Sequence, residues 1–368
     1  MIGLIFTKKK LKKIVAGKKT FYDDLDFYAK LARKYQIDLC MYSVNKITDQ
    51  SNMVKGYVFA HKDDTLTKKK VPIPQVNLFR TGAYLRKTST IRLLRNLAAE
   101  SGIIFINMVT QKERNKYHIY RYLNKIQEIR GHIPETAELS YANLKHFLQT
   151  YDQVIIKPVR GSLGKNITTI DKRSNDYVVH RTRSKKTRRK IVPKEVFQEF
   201  YAKMYKKPQR YLVQPCLPLK EYKGKKFDIR VSTQKNKNRQ WQVTGMVMRL
   251  AKSKGIVTNL AQGGVPVAFN DVFPGNKKIK KEIRRLSLEI ASALVELYPT
   301  IADMGLDIAV DKDGQLWFLE ANFCALKKSY RRLKDRKTRA ALYRIPFEYA
   351  YAVYAKEKGG NDRDRIPV

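Results

Sequence analysis

The chain is poor in cysteine, poor in acid, and without a long apolar run. Its 368 residues hold three cysteines, Cys40, Cys216 and Cys324. They are widely spaced, match no zinc pattern and cannot all pair internally. That excludes a disulfide-stapled framework and points to a reducing, cytoplasmic-type compartment. No apolar stretch approaches the roughly 18–20 residues that span a bilayer as a helix. The opening MIGLIFTKKK carries its positive charge after the apolar residues, the reverse of a secretory signal. It reads as a first buried strand. There is no internal repeat and no Gly/Ser linker, so the length allows two or three domains with real cores.

Acid is the scarcest resource: 33 Asp and Glu stand against 76 Lys and Arg, a formal charge of +43. Hydrophobic residues make up 43% of the chain, enough to exclude general disorder despite the charge. The basic residues are dispersed through KKKLKK 8–13, TKKKVP 67–72, RTRSKKTRRK 181–190, KKIKKEIRR 277–285 and KKSYRRLKDRK 327–337. Dispersal excludes a single basic tail. Long-range attraction to a polyanion follows, whether substrate, scaffold or nucleic acid; a merely solvated basic surface stays open.

Periodicity organises the chain. MIGLIF, IDLCMYSV 37–44 and IIFINMV 103–109 read as strands, with a helix from a Thr20 cap to Tyr35 and another over 89–102 that ends at Gly102. This predicts a small, largely parallel α/β lobe over 1–110. A helix is expected over 112–129, and another over YANLKHFLQTY with Ser140 as its N-cap. Strands follow around the loop of QVIIKPVRGSLGKNITTI 153–170, then a helix over 193–205 and strand RYLVQPCL. FDIRVSTQ and QWQVTGMVMRLA pair across KNKN, and a long amphipathic helix covers 280–298. A helix near 338–356 closes the chain.

The stretch GLDIAVDKDGQLWFLEAN, 305–322, places two alternating apolar runs around Asp313-Gly314, a type I′ hairpin signal. With Lys312 opposite Gln315, Asp307 faces Glu320 and Asn322 lies one step along the same face. Acids on such apolar strands need a partner. Carboxylate and amide oxygens suit a hard divalent cation, and magnesium completes its shell with water and phosphate. A nucleotide site is therefore expected. Lys157 ends the buried strand VIIK, where it can meet a phosphate. Gly161 and Gly164 bend the next loop and expose backbone N–H groups. Gln214-Pro215 interrupts an apolar strand that can offer backbone groups to adenine. In FDIRV, Asp228 and Arg230 share a face, either as a buried ion pair or with Arg230 aimed at a phosphoryl group.

Lys116, IP-T 133–136, IIKPVRGSLGKNI, LVQPCL, KKFDIRV, TNLAQGG and GLDIAV…LEAN, in that order, resemble the ATP-grasp superfamily. Within it the chain is most similar to the YheC/YheD-type endospore coat-associated ATP-grasp family. The resemblance implies an α/β (α+β) ATP-grasp fold whose two lobes grip ATP over 111–326. An α/β lobe over 1–110 precedes it, and a helical segment and tail over 327–368 follow. It further implies Lys116 and Lys157 at the phosphates beneath a Gly161, Ser162, Gly164 loop. Gln214, Pro215 and Cys216 would lie at adenine, with Asp228 beside the nucleotide and Arg230 at the transferred group. Asp307, Glu320 and Asn322 would hold Mg2+, and Asn259, Gly263 and Gly264 would form a substrate-side loop. Pro215 stands where the hinge commonly carries an acid. Gln262 stands where related ligases often have arginine, which leaves the acceptor open.

The implied activity is ATP- and Mg-dependent joining of a carboxylate to an amine through an acyl phosphate, with an acidic polymer or peptide as a partner. The alternatives are an ATP-binding spore-coat protein without turnover and a basic protein that binds nucleic acid non-specifically. No zinc finger or aromatic–basic platform supports the last.

Overall fold

The structure is a computed structural model that describes residues 1–18, 24–47, 52–80, 85–161, 164–183, 186–251, 263–323 and 328–359. Three sheets of six strands each follow one another along the chain. Among the described residues, no helix is long and apolar enough to cross a membrane.

The first sheet takes strands Ile2–Ile5, Leu39–Tyr42, Val76–Phe79 and Ile104–Ile106 in parallel. The first three are buried at every position, as parallel strands covered on both faces must be. Thr7 caps a helix over Lys8–Val15, so the lysine run begins as one turn after another of helix. Thr20 lies outside the described residues. The second helix starts later than expected, at Leu25, because the Asp24 side chain accepts from the Phe27 N–H. Helix Thr88–Ser101 does end at Gly102, which takes a left-handed φ of 63°. An antiparallel hairpin, Met53–Ala60 with Thr65–Pro72, extends the sheet where sequence reading assigned no strands.

The second sheet is antiparallel, in the order Lys186–Pro193, Asp176–Arg183, Ile167–Lys172, Gln153–Pro158, Tyr211–Pro215, Ala137–Glu138. Helices Tyr141–Thr150 and Phe197–Met204 cover one face through Leu144, Phe147 and Phe197. Ser140 caps the first as expected, accepting from the Asn143 N–H at 3.0 Å. The helix expected over 112–129 is split into Lys116–Leu123 and Gln127–Arg130. Asn115 caps the first piece, which fixes Lys116 at its start.

The third sheet runs Val265–Val267, Trp241–Leu250, Lys225–Lys235, Asp303–Val310, Leu316–Asn322, all antiparallel, with Glu221–Tyr222 paired to the start of Lys225–Lys235. Helix Lys277–Leu297 buries Ile283, Leu286, Ile290 and Leu294 against it, at the spacing of one helical face. Helix Arg336–Glu357 ties this sheet to the first. Phe347, Ala350 and Ala355 enter the core of the first sheet, and Leu342 packs with Tyr330 and Val247 of the third. Pro346 has no N–H for the Leu342 carbonyl; Gln234 Nε2 donates to that carbonyl instead, at 3.0 Å.

Behind the third sheet the packing leaves no room at Gly245. A Cβ there would lie 2.6 Å from the Thr338 methyl and 2.9 Å from the Tyr330 ring. Gly245→Ala should therefore lower stability by about 1–3 kcal/mol through overpacking. Thermal unfolding checks this, and an unchanged melting temperature would contradict the close approach.

Candidate functional site

The face of the second sheet and the third sheet bound a cleft that encloses about 1100 Å³, open solvent at its mouth included. Ile155, Lys157 and Ile167 form one wall, Gly161 and Gly164 its rim, and Gln214 to Leu217 its back. Asp228, Arg249, Asp307 and Glu320 come from the third sheet, and Lys116 closes one side. Most of the residues expected from sequence are thus brought together. Arg230 and Asn322 sit behind the lining, in contact with Asp307. Gly263 and Gly264 do not line the cleft; the Gly264 carbonyl accepts from Arg332 Nη1 at 3.4 Å. Ser162, Asn259 and Gln262 lie outside the described residues.

Asp307 faces Glu320 as expected, by a different route. The turn is not the two-residue Asp313-Gly314 type. Asp311 N–H donates to the Gln315 carbonyl, Gly314 N–H donates back to Asp311, and Gly314 has φ 89°. That is a three-residue loop with glycine at the bulge position. Asp311 stabilises it by accepting from the Asp313 and Gln315 N–H groups and from Trp317 Nε1. The longer loop shifts the register by one, so Ile308 pairs with Phe318. A bulge at Leu319 shifts it back, and Asp307 meets Glu320. Without the bulge Glu320 would turn to the opposite face. The Tyr120 hydroxyl donates to the Leu319 carbonyl at this point.

Asp307 is not a bare acid. Arg230 grips it with Nε at 2.5 Å and Nη2 at 3.1 Å, and Arg249 Nη2 lies 2.9 Å from its Oδ2. Arg249 also holds Asp228 in a two-point contact of 2.6 and 2.5 Å. Of the two readings left open for this strand, buried ion pairs do form, but across strands: Asp228 with Arg249 and Arg230 with Asp307. Burial pushes the Asp307 carboxyl up, but the two guanidiniums outweigh it and hold the group below the ordinary carboxylate range. Burial would lower the Arg249 pKa; Asp228 and Asp307 reverse that and raise it.

Arg249 was missed in the sequence, although it is the arginine that lines the cleft. Its signal was a lone charge in the apolar run MVMRLA, opposite Asp228 once the hairpin register is drawn. Lys226 and Leu217 were missed too. Leu217 matters because Pro215 has no N–H and the Cys216 N–H is already given to the Gln153 carbonyl at 2.8 Å. Pro215 therefore sits at a position that does not bond to the neighbouring strand, which is why a proline is tolerated there. Its carbonyl and the Leu217 N–H have no backbone partner outside the strand ladders among the described residues. Gln214 is buried and donates to Thr136 Oγ1 at 2.7 Å, so its side chain holds the hinge in place.

Among the described residues, five cationic side chains and three carboxylates line the cleft, an excess suited to a polyphosphate. Lys116 Nζ lies 3.5 Å from Glu320, a loose contact that leaves carboxylate lone pairs unused. Asn322 Nδ2 donates to Asp307, so its amide oxygen is not engaged there. Among the described residues, no group of three or more His, Cys, Asp or Glu could hold a metal ion. The donors at hand are all oxygen and few, which fits magnesium completed by water and phosphate.

The chain matches the YheC/D-like ATP-grasp family model over residues 105–353. It is 26% identical over 359 residues to the endospore coat-associated protein YheD of Bacillus subtilis (strain 168), covering 94% of this chain and 77% of that protein. Identity to YheC of the same organism is 24% over 251 residues, or 66% of this chain and 68% of that one. Among solved structures, N5-carboxyaminoimidazole synthetase from Staphylococcus aureus is similar in fold, with a TM-score of 0.51. That match has 9% identity and covers 95% of this chain and 77% of the other.

Burial, followed by the Lys116 charge, pushes the Lys157 ammonium down to about 8. A bound polyphosphate favours the charged form and raises that pKa again. Binding then takes up a proton between the two values. ATP affinity should be flat below the free-protein pKa and fall by up to about tenfold per pH unit above it. Calorimetric titrations from about pH 7 to about pH 10 check this, with Lys157→Arg removing the fall. Affinity that is flat throughout for the unaltered protein would contradict it.

Proposed function

Because the chain belongs to the YheC/D-like ATP-grasp family, we propose that it is an ATP- and magnesium-dependent ligase that joins a carboxylate to an amine. The observation that carries this is the gathering of Lys116, Lys157 and Arg249 with Asp307 and Glu320 in the lining of one cleft. A magnesium ion held by Asp307, Glu320 and Asn322 would neutralise phosphate charge and orient the phosphoryl group.

The chain's own residues supply positioning and electrostatics. The Pro215 carbonyl and Leu217 N–H hold the adenine edge, and Lys116 and Lys157 hold phosphate oxygens. Backbone N–H groups of the loop at Gly161 and Gly164 cover them. Arg249, with Arg230 behind it, stabilises the negative charge that develops as the phosphoryl group passes to the carboxylate. The acyl phosphate so formed is open to an amine, which attacks the carbonyl carbon and releases phosphate. The Asp228 and Asp307 carboxylates keep both guanidiniums fixed, so little reorganisation is needed at that moment.

A charge of +43 favours an acidic substrate or carrier, either polymer or peptide, and nucleic acid would bind without sequence preference. The names of the two Bacillus relatives support a second reading, an ATP-binding protein of the spore coat without turnover. The retained Lys157, Arg230, Asp307, Glu320 and Asn322 favour the ligase. We place its work in a cytoplasmic compartment, with association to the coat in a spore-forming cell.

Glu320→Gln removes one negative charge from the metal shell and nearly keeps the shape. It should reduce ADP release in the presence of the acid and amine substrates by on the order of a hundredfold or more, with the fold intact. Pooled acids and amines incubated with Mg-ATP and read by mass spectrometry provide the assay. Product formation unchanged by the substitution would remove Glu320 from the metal site.

A further inference from the structure

Part of one basic run, KTRRK 186–190, lies on an edge strand of the second sheet. Among the described residues, strand Lys186–Pro193 pairs only with Asp176–Arg183 and ends the second sheet. Backbone groups on its outer side therefore point away from the sheet, a template for another extended chain. Arg188, Arg189 and Lys190 are exposed, and none has a carboxylate partner among the described residues. Ile191, on the same strand, is 45% exposed. Charge on an edge commonly blocks pairing between identical chains, and here it repels a second copy of this basic protein. The same charge attracts an acidic one.

Register carries that edge to the cleft. Arg189 and Ile191 share a sheet face with His180 and Val178, then with Thr169 and Asp171 on the next strand. Thr169 pairs with Ile155, and Ile155 lines the cleft with Lys157. At the cleft end, the Asn166 N–H at the foot of the glycine loop donates to the Thr182 carbonyl at 3.0 Å.

We propose that strand Lys186–Pro193 is the docking edge for an acidic, extended polypeptide, which adds to the second sheet as a further strand. Its main chain bonds to the outer N–H and C=O groups, and its carboxylates meet Arg188, Arg189 and Lys190. A chain in that position lies about four strand spacings, or ~19 Å, from the Lys157 strand, and about six extended residues cover the distance. Docking thus brings a neighbouring carboxylate of the same polypeptide to the cleft; this last step rests on the ligase reading, whereas docking does not.

The test uses the full chain and a synthetic peptide of about ten residues built from Glu-Glu-Val-Val repeats, which carries Glu on both strand faces, titrated at low salt by fluorescence anisotropy. A copy N-methylated at alternate amides keeps the charge and loses the strand bonds. We expect N-methylation, and separately Arg189→Glu with Lys190→Glu, to weaken binding by at least about tenfold. Mg-ATP affinity and melting temperature should not change in the double variant. Equal binding of the N-methylated peptide, or of the unmodified peptide to the double variant, would overturn the docking edge. So would tighter binding of a single-stranded oligonucleotide of equal charge that depends on Arg189 and Lys190. Peptide binding without ATP binding would sink the ligase reading alone, and ATP binding without peptide binding would sink the edge alone.

Discussion

Two aspartates and two arginines, buried side by side on three strands, hold the cleft in shape. Asp228 faces Arg249, Arg230 faces Asp307, and Arg249 bridges the two pairs at 2.9 Å. Each guanidinium is neutralised, and each carboxylate is donated to from more than one atom. Such a cluster is stable only as a whole. Removing one member of a buried pair strands its partner, typically at about 3–5 kcal/mol. The cluster therefore fixes the mutual register of Lys225–Lys235, Trp241–Leu250 and Asp303–Val310. Everything the third sheet presents to the cleft, Glu320 included, takes its place from that register.

The cluster also explains why so basic a chain sets two of its acids opposite each other. Asp307 and Glu320 do not repel across an empty face. Asp307 answers to Arg230 and Arg249, and Glu320 to Lys116. The acids are placed where cations already crowd, so that both signs line one cleft. Away from the cleft, Arg188, Arg189 and Lys190 on the edge strand have no carboxylate partner among the described residues.

Much of this site could be read from the sequence because it lies on strands with clean alternation. Lys157 follows an unbroken apolar run, and Asp307 and Glu320 flank a recognisable turn. The turn type, however, depended on Asp311, whose side chain captures two backbone N–H groups and lengthens the loop. The bulge at Leu319 restored the pairing, and no local signal announced it. Arg249 stayed hidden because its meaning lies across the sheet, in Asp228. The hairpins over 53–72 and 176–193 stayed hidden because Lys and Arg occupy strand positions that a period-two reading expects to be apolar. Their burial comes from one face only, and their long side chains tolerate the rest.

The most direct test of the account is the affinity of nucleotide-free protein for ATP with magnesium and with magnesium removed by a chelator. If Asp307, Glu320 and Asn322 share a metal with the phosphates, affinity should fall by at least about tenfold on removal, since the phosphates then meet these carboxylates without the metal's two positive charges. Equal affinity in both conditions would contradict a metal at this hairpin. No binding in either would contradict the nucleotide cleft itself.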